Sequence, residues 1–254
     1  MERVYLEKVD STNKWAKENI NSLEHLTVVY TYNQTSGRGR LDRKWNYTGE
    51  GNIYASIVLK YHGTMREVYS NLTQYLCLVL AEVFEEYGVY AEIKWPNDLR
   101  VNGKKICGIL AEGVNIGVGV NDGAGVNAEG NGEVHTTAVI LGFGVNLNCS
   151  QEDMDKIDQP ATSLNILTGM EIDKEHFFQR VLDKFCLEYD NFIKGGFKFI
   201  RKAYKERFEF LNKQIRINVF DKTVEGEAID ITEQGALKIL NNGEEQILYI
   251  GDIL

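Results

Sequence analysis

Residues 37–45 read Gly-Arg-Gly-Arg-Leu-Asp-Arg-Lys-Trp: four cations, two glycines and a tryptophan, in a chain whose net charge is −9. Cations set so close repel one another, and the arrangement becomes favourable when an anion joins them. Gly37 and Gly39 let the backbone approach a ligand because no Cβ intervenes. Arg38, Arg40 and Arg43 offer planar forks of donors that fit phosphate or carboxylate oxygens. Trp45 is suited to cover a flat heterocycle. A flap closing over a nucleotide is the chemistry implied. Taken alone, the same stretch also reads as a solvated turn. It is not a Walker A loop, since no Gly-Lys-Ser/Thr follows, and it lacks Gly-x-Gly-x-x-Gly spacing.

Four further groups have chemistry of their own. Ser11, Thr12 and Asn13 supply hydroxyl and amide groups at a helix-start signal, and Gln34 precedes the basic stretch. Such residues usually serve as caps, yet they also suit a carbonyl-bearing ligand. Lys94-Trp95-Pro96-Asn97-Asp98 places two charges around one of the chain's two prolines. Lys105 is followed by Gly108 and Leu110, and Gly142-Phe143-Gly144-Val145-Asn146 ends a later apolar run.

The elements that must position these groups follow from periodicity. Strands are expected at 4–9, 26–32, 52–60 and 90–95, and a helix over 66–87 that stops at Gly88. Asn102-Gly103 signals a two-residue hairpin that brings Lys94, Asp98 and Lys105 to one end of a sheet. Residues 113–132 carry seven glycines and four asparagines, which predicts an exposed, poorly ordered loop. A buried strand at 136–141 comes next, and 152–161 reads as polar linker. Asp173 caps a long amphipathic helix closed by Gly195-Gly196, and a second helix covers 199–208. From Gln214 the period becomes two, and four short strands predict a small C-terminal β-barrel.

With 254 residues the chain can bury one large or two unequal cores. Its acidic balance argues against a general nucleic-acid coat. Four scattered cysteines and four scattered histidines give little support to a zinc site. The amino terminus lacks a signal-peptide core and no apolar run reaches membrane-spanning length, so a reducing cytoplasm is expected.

Ser11-Thr12-Asn13, Gln34 with the flap, Lys94-Trp-Pro-Asn-Asp98, and Lys105 with Gly108-Ile-Leu110 occur in an order that resembles biotin protein ligases. Gly142-Phe-Gly-Val-Asn146 and Gln234-Gly235-Ala236-Leu237 extend the resemblance over essentially the whole chain. The resemblance implies an α+β fold. A mixed β-sheet catalytic domain with helices packed on it, class II synthetase-like, would span 1–211. A C-terminal SH3-like β-barrel would span 212–254. It implies activation of biotin by ATP to biotinoyl-5′-AMP and transfer to a lysine of a biotin carboxyl carrier domain. Lys105, Arg40 and Asp98 would be catalytic. Ser11, Thr12, Asn13, Gln34, Gly37, Arg38, Gly39, Arg40, Lys105, Gly108 and Leu110 would bind biotin. Arg40, Arg43, Trp45, Lys94 and Asn146 would face ATP, and Asp98 would help hold Mg2+ or orient the incoming lysine. A monomer or weak homodimer is implied.

Lipoate protein ligases are the alternative within the same superfamily; the flap and Lys-Trp-Pro-Asn-Asp favour biotin. A second alternative is a non-enzymatic gene regulator. That would need a basic recognition helix ahead of Ser11, where ten residues stand, so specific DNA binding is not expected. Residues 113–132 are longer than the biotin ligases usually carry there.

Overall fold

The computed structural model describes residues 1–40, 43–45, 49–62, 67–120 and 133–254. A seven-stranded sheet organises the larger part. It contains β1 (Arg3–Tyr5), β2 (Val28–Thr31), β5 (Ile53–His62), β6 (Glu92–Lys94), β7 (Asp98–Val101), β8 (Lys104–Val120) and β9 (Glu133–Val145). The order is β1-β2-β5-β9-β8-β7-β6; β1 and β2 run parallel and the remaining neighbours antiparallel. Two short strands, β3 (Gly37–Arg38) and β4 (Lys44–Trp45), form a separate ribbon within the basic stretch.

Period two divides the sheet's residues between its faces. Ile57, Leu59, Val139, Leu141, Phe143, Cys107 and Ile109 enter the main core with α2 (Leu72–Glu86), α5 (Lys174–Gly195) and α6 (Phe197–Glu206). Val58, Ala138 and Ile140 point the other way, against Ala16 of α1 (Thr12–Glu18) and against Ile20. On that second face three rows run across β5, β9 and β8: Val58–Ile140–Glu112, Ser56–Gly142–Leu110 and Tyr54–Gly144–Gly108. α1 covers the first row. The glycines leave the last row flat and open.

The local signals account for the boundaries. The Asp173 carboxylate accepts the His176 N–H and Gly196, at φ 63°, ends α5. Asn102 and Gly103 adopt φ of 50° and 75° between β7 and β8, the two positive values that this hairpin turn needs. The expected 66–87 helix is divided into a 3-10 turn at Glu67–Asn71 and α2.

Residues 113–120 correct the loop expectation. They extend β8, pairing in register from Gly113↔Val139 to Val120↔Glu133, with one register shift between Asn115 and Gly117. An antiparallel ladder is made by backbone groups, so glycine content alone does not forbid it, and Val114, Ile116, Val118 and Val120 alternate with period two. The remainder of the expected loop, 121–132, lies outside the described residues. The expected linker contains α3 (Gln151–Asp155), capped by Ser150, and α4 (Leu164–Thr168) follows.

The C-terminal part is a five-stranded antiparallel sheet: β10 (Gln214–Val219), β11 (Lys222–Ile231), β12 (Leu237–Asn241), β13 (Glu244–Leu248) and β14 (Asp252–Ile253). Its order is β13-β12-β11-β10-β14, and among the described residues no pairing joins its ends into a closed barrel. β14 escaped the periodicity because two residues carry no period. This sheet docks through buried polar contacts. Trp95 Nε1 and Gln74 Nε2 both donate to Gly235 O, at 3.0 and 2.9 Å. Among the described residues no helix is long and apolar enough to cross a membrane. Cys77, Cys107 and Cys149 are buried thiols and Cys186 is exposed.

Candidate active site

The cleft lies over the glycine rows, between α1 and the C-terminal sheet. Its floor needs hydrogen in place of side chains. A Cβ on Gly108 would stand 2.5 Å from the Trp45 ring, and one on Gly144 would stand 2.9 Å from it. A Cβ on Gly142 would meet Asn13 Oδ1 at 2.1 Å. Trp45 therefore lies directly on the sheet backbone, and Lys105 Nζ sits 5.3 Å from its ring centroid.

One end of the cleft is neutral, polar and buried. Ser11, Thr12, Asn13 and Gln34 are each less than a tenth exposed. Ser11 caps α1 by accepting the Lys14 N–H. The Thr12 backbone N–H donates to Gln34 Oε1 at 2.8 Å, and Ser56 Oγ stands 2.8 Å from Thr12 Oγ1 and 2.6 Å from Asn13 Oδ1.

The other end is charged. Lys105 Nζ pairs with Asp98 Oδ2 at 2.8 Å, both side chains 17% exposed. Arg40 donates to Asn97 Oδ1 at 3.1 Å and to Gly251 O at 3.0 Å. Burial lowers its pKa from the ordinary arginine value, with the carboxylates of Asp252 and Asp98 acting against that. Arg43 forms an ion pair with Asp252, and Arg38 lies 3.8 Å from Glu112. Within the flap, Gly39 N donates to Arg43 O at 2.7 Å. Here the structure modifies the sequence argument: the protein's own carboxylates already accompany the cations, and a ligand anion must compete with them.

Ser11, Thr12, Asn13, Gln34, Arg38, Gly39, Arg40, Arg43, Trp45, Asp98, Lys105, Gly108, Leu110 and Asn146 all line this cleft. Gly37 and Lys94 do not. Gly37 acts by spacing, since a Cβ there would stand 2.8 Å from Trp45 Cβ and 2.9 Å from Gln34 Nε2. Lys94 pairs with Asp98 in the β6–β7 ladder. Burial lowers its pKa from the ordinary lysine value while Asp252 and Asp98 oppose the shift. Asn146 is held by its Nδ2 donating to Thr162 O at 3.0 Å.

Sequence reasoning missed Gln159, Ile157 and Ala161, which reach the cleft because the Lys105 N–H donates to Pro160 O and the Thr162 N–H to Lys105 O. It also missed Asp252, which nothing local marks. Among the described residues no three His, Cys, Asp or Glu side chains gather as a metal-binding group. The cleft's carboxylates, Asp98 and Asp252, are both engaged by cations.

The fold and the cleft together define the class: an α+β chain whose mixed sheet carries a cleft with a basic flap, joined to a small antiparallel sheet. The sequence profile of the biotin/lipoate A/B protein ligase family matches residues 5–131, and that of the biotin protein ligase C terminal domain matches residues 210–254. The bifunctional ligase/repressor BirA of Bacillus subtilis is 31% identical over 254 residues, covering 98% of this chain and 73% of that protein. The biotin–[acetyl-CoA-carboxylase] ligase of Paracoccus denitrificans is 29% identical, with 98% of each chain covered. The biotin protein ligase of Aquifex aeolicus, solved in complex with biotin and ATP, shares the fold. Its TM-score is 0.77 at 24% identity, covering 100% of this chain and 97% of that one. The chain belongs to the biotin/lipoate A/B protein ligase family and carries the C-terminal domain of biotin protein ligases.

Proposed function

We propose that this chain is a biotin protein ligase. It joins the biotin carboxylate to the α-phosphate of ATP, releasing pyrophosphate. It then transfers the biotinoyl group to a lysine amine of a biotin carboxyl carrier domain, releasing AMP. The observation that carries this reading is the two-ended cleft: buried neutral polar groups at one end and Arg38, Arg40, Arg43 and Lys105 at the other, under Trp45.

The first step brings a carboxylate up to an anionic phosphate, so cations at the reacting centre are the main requirement. Lys105 leaves its pairing with Asp98 to lie between the two anions, and Arg40 holds the phosphate. Arg38 and Gly39 close over biotin or the adenylate. Thr12 and Gln34 serve the ureido group, which needs both a donor and acceptors. Trp45 and Asn146 face the adenosine. In the second step Asp98, freed from Lys105, orients the incoming lysine amine. Mg2+ enters as part of the MgATP substrate, and its phosphates bring most of its ligands. Residues 1–211 form the catalytic unit and 212–254 the unit that supplies Asp252 to the cleft. The cytoplasm, which supplies ATP and keeps thiols reduced, is the compartment for this reaction.

A lipoate ligase would place a dithiolane against Thr12 and Gln34, and a dithiolane offers those buried groups no strong hydrogen-bond partner. ATP–pyrophosphate exchange with biotin or lipoate decides between them, followed by labelling of an apo carrier domain. Exchange with biotin and labelling of the carrier lysine are expected. Exchange with lipoate and none with biotin overturns the reading.

A further inference from the structure

Glu112 lies in the first cross-sheet row, beside α1, and it was not singled out by any motif. Its side chain is 15% exposed and accepts from Lys17 Nζ at 2.5 Å and from Asn13 Nδ2 at 2.8 Å. Burial acts to raise its pKa, but the hydrogen bonds from Lys17 and Asn13, together with the charges of Lys17 and Arg38, hold the carboxyl below the ordinary glutamate value. Glu112 is thus ionised, and an ionised carboxylate only accepts.

That fact propagates. Asn13 must turn its NH2 toward Glu112, leaving Oδ1 against Ser56 Oγ at 2.6 Å. Ser56 has one proton, and Asn13 Oδ1 cannot donate, so the Ser56 proton goes to Asn13. The 2.8 Å contact between Ser56 and Thr12 must then be donated by the Thr12 hydroxyl. Gln34 Oε1 takes the Thr12 backbone N–H at 2.8 Å, and the 3.2 Å contact from the Thr12 hydroxyl is the longer alternative for its proton. Thr12 Oγ1 keeps a lone pair for a ligand N–H, and Gln34 keeps Nε2 for a ligand carbonyl. A reversed Asn13 amide would make Ser56 donate to Thr12 and leave the Thr12 proton only the 3.2 Å contact to Gln34 Oε1 or the ligand itself, where the ligand also has a proton.

We infer that Glu112 is a positioning residue that sets the donor and acceptor polarity of the ureido end of the cleft through the Asn13–Ser56–Thr12–Gln34 row. The inference rests on the biotin reading above. Glu112 reaches the ligand only through other side chains.

The test compares Glu112→Ala and Glu112→Gln with the unsubstituted chain. Biotin affinity is measured calorimetrically without nucleotide, the KM for ATP by pyrophosphate exchange, and folding by thermal unfolding. Glu112→Ala should weaken biotin binding about tenfold or more and move the KM for ATP less than about threefold. Glu112→Gln has one acceptor oxygen for the two donors Lys17 and Asn13, so its biotin affinity should fall between those of the alanine variant and the unsubstituted chain, with the KM for ATP within about threefold. If the alanine variant fails to fold, Glu112→Met fills the volume without an acceptor and gives the same comparison. Unchanged biotin affinity in Glu112→Ala overturns the inference. So does a parallel loss for biotin and ATP. An unsubstituted chain that binds no biotin overturns the functional reading as well.

Discussion

Lys105 is placed so that removing it should separate catalysis from folding. Its side chain lines the cleft, and its described ion-pair partner is Asp98. Lys105→Ala should lower adenylate formation by about 10- to 100-fold, as expected for a charge-assisted contact worth about 1.5–3 kcal/mol. Asp98 keeps some access to solvent, so the unfolding temperature should fall far less. Pyrophosphate exchange beside thermal unfolding measures both, and near-normal exchange would remove Lys105 from the reaction. Gly108 offers a complementary test, because a methyl there meets the Trp45 ring at 2.5 Å. Gly108→Ala should lift Trp45 off the sheet and raise the KM for ATP about tenfold, the scale of one lost aromatic stacking contact. Its fold should survive, since the atoms that must give way are the flap's Trp45 ring and, at 3.0 and 3.1 Å, the far end of the flexible Lys105 side chain. An unchanged KM would show that the nucleotide does not need the Trp45–Gly108 contact.

The flap is the element on which the ligand acts. Its cations are tethered by Glu112, Asn97, Gly251 O and Asp252, so it has a closed arrangement available from protein contacts alone. Arg43 is 58% exposed, and a pair so open is worth at most about 1 kcal/mol. Ordering backbone costs about 1–2 kcal/mol per residue, so these tethers do not hold the flap rigidly. Biotinoyl-adenylate, which offers phosphate and rings together, should protect it more than biotin does. Trypsin cleavage after Arg38, Arg40 or Arg43 should therefore slow in the order free, biotin-bound, adenylate-bound. Asp252→Ala should speed cleavage after Arg43 in the free chain. Equal rates in all ligand states would end the idea of a ligand-closed flap.

At the scale of the whole molecule the C-terminal sheet is a contributor to the cleft and needs to stay docked. Asp230 on β11 pairs with Arg201 and Lys205 of α6. Burial acts to raise its pKa, but Lys205, the Ile231 N–H and Arg201 together lower it below the usual 3.8. The folded pKa is below the unfolded one. The contribution of Asp230 is therefore present above the unfolded pKa and is lost as pH falls through the folded value. Acidification below about pH 4 should weaken this junction. Asp230→Asn should be less stable than the unsubstituted chain at neutral pH, and the gap should narrow in acid. Urea midpoints across pH measure it; a gap independent of pH would show that the Asp230 charge does not contribute.

Signals that act within a few residues were legible in the sequence. Asp173 and Gly196 bound a helix, Asn102-Gly103 turned a hairpin, and period two marked four of the five C-terminal strands, because caps, turns and side-chain alternation depend on neighbours in the chain. The predicted site residues were legible too, since their types already carry the chemistry, and all of them but Gly37 and Lys94 line one cleft. Tertiary structure decided the rest. It paired 113–120 with β9 through backbone bonds that composition does not report. It set Ser56, Gly142 and Leu110 in one row by cross-strand register, and so brought Glu112 to Asn13 across a separation of 99 residues. It also joined Arg40 to Gly251 across 211 residues by docking one sheet on another. Register and docking are properties of the assembled core, and no local pattern around Glu112, Gly251 or Asp252 encodes them.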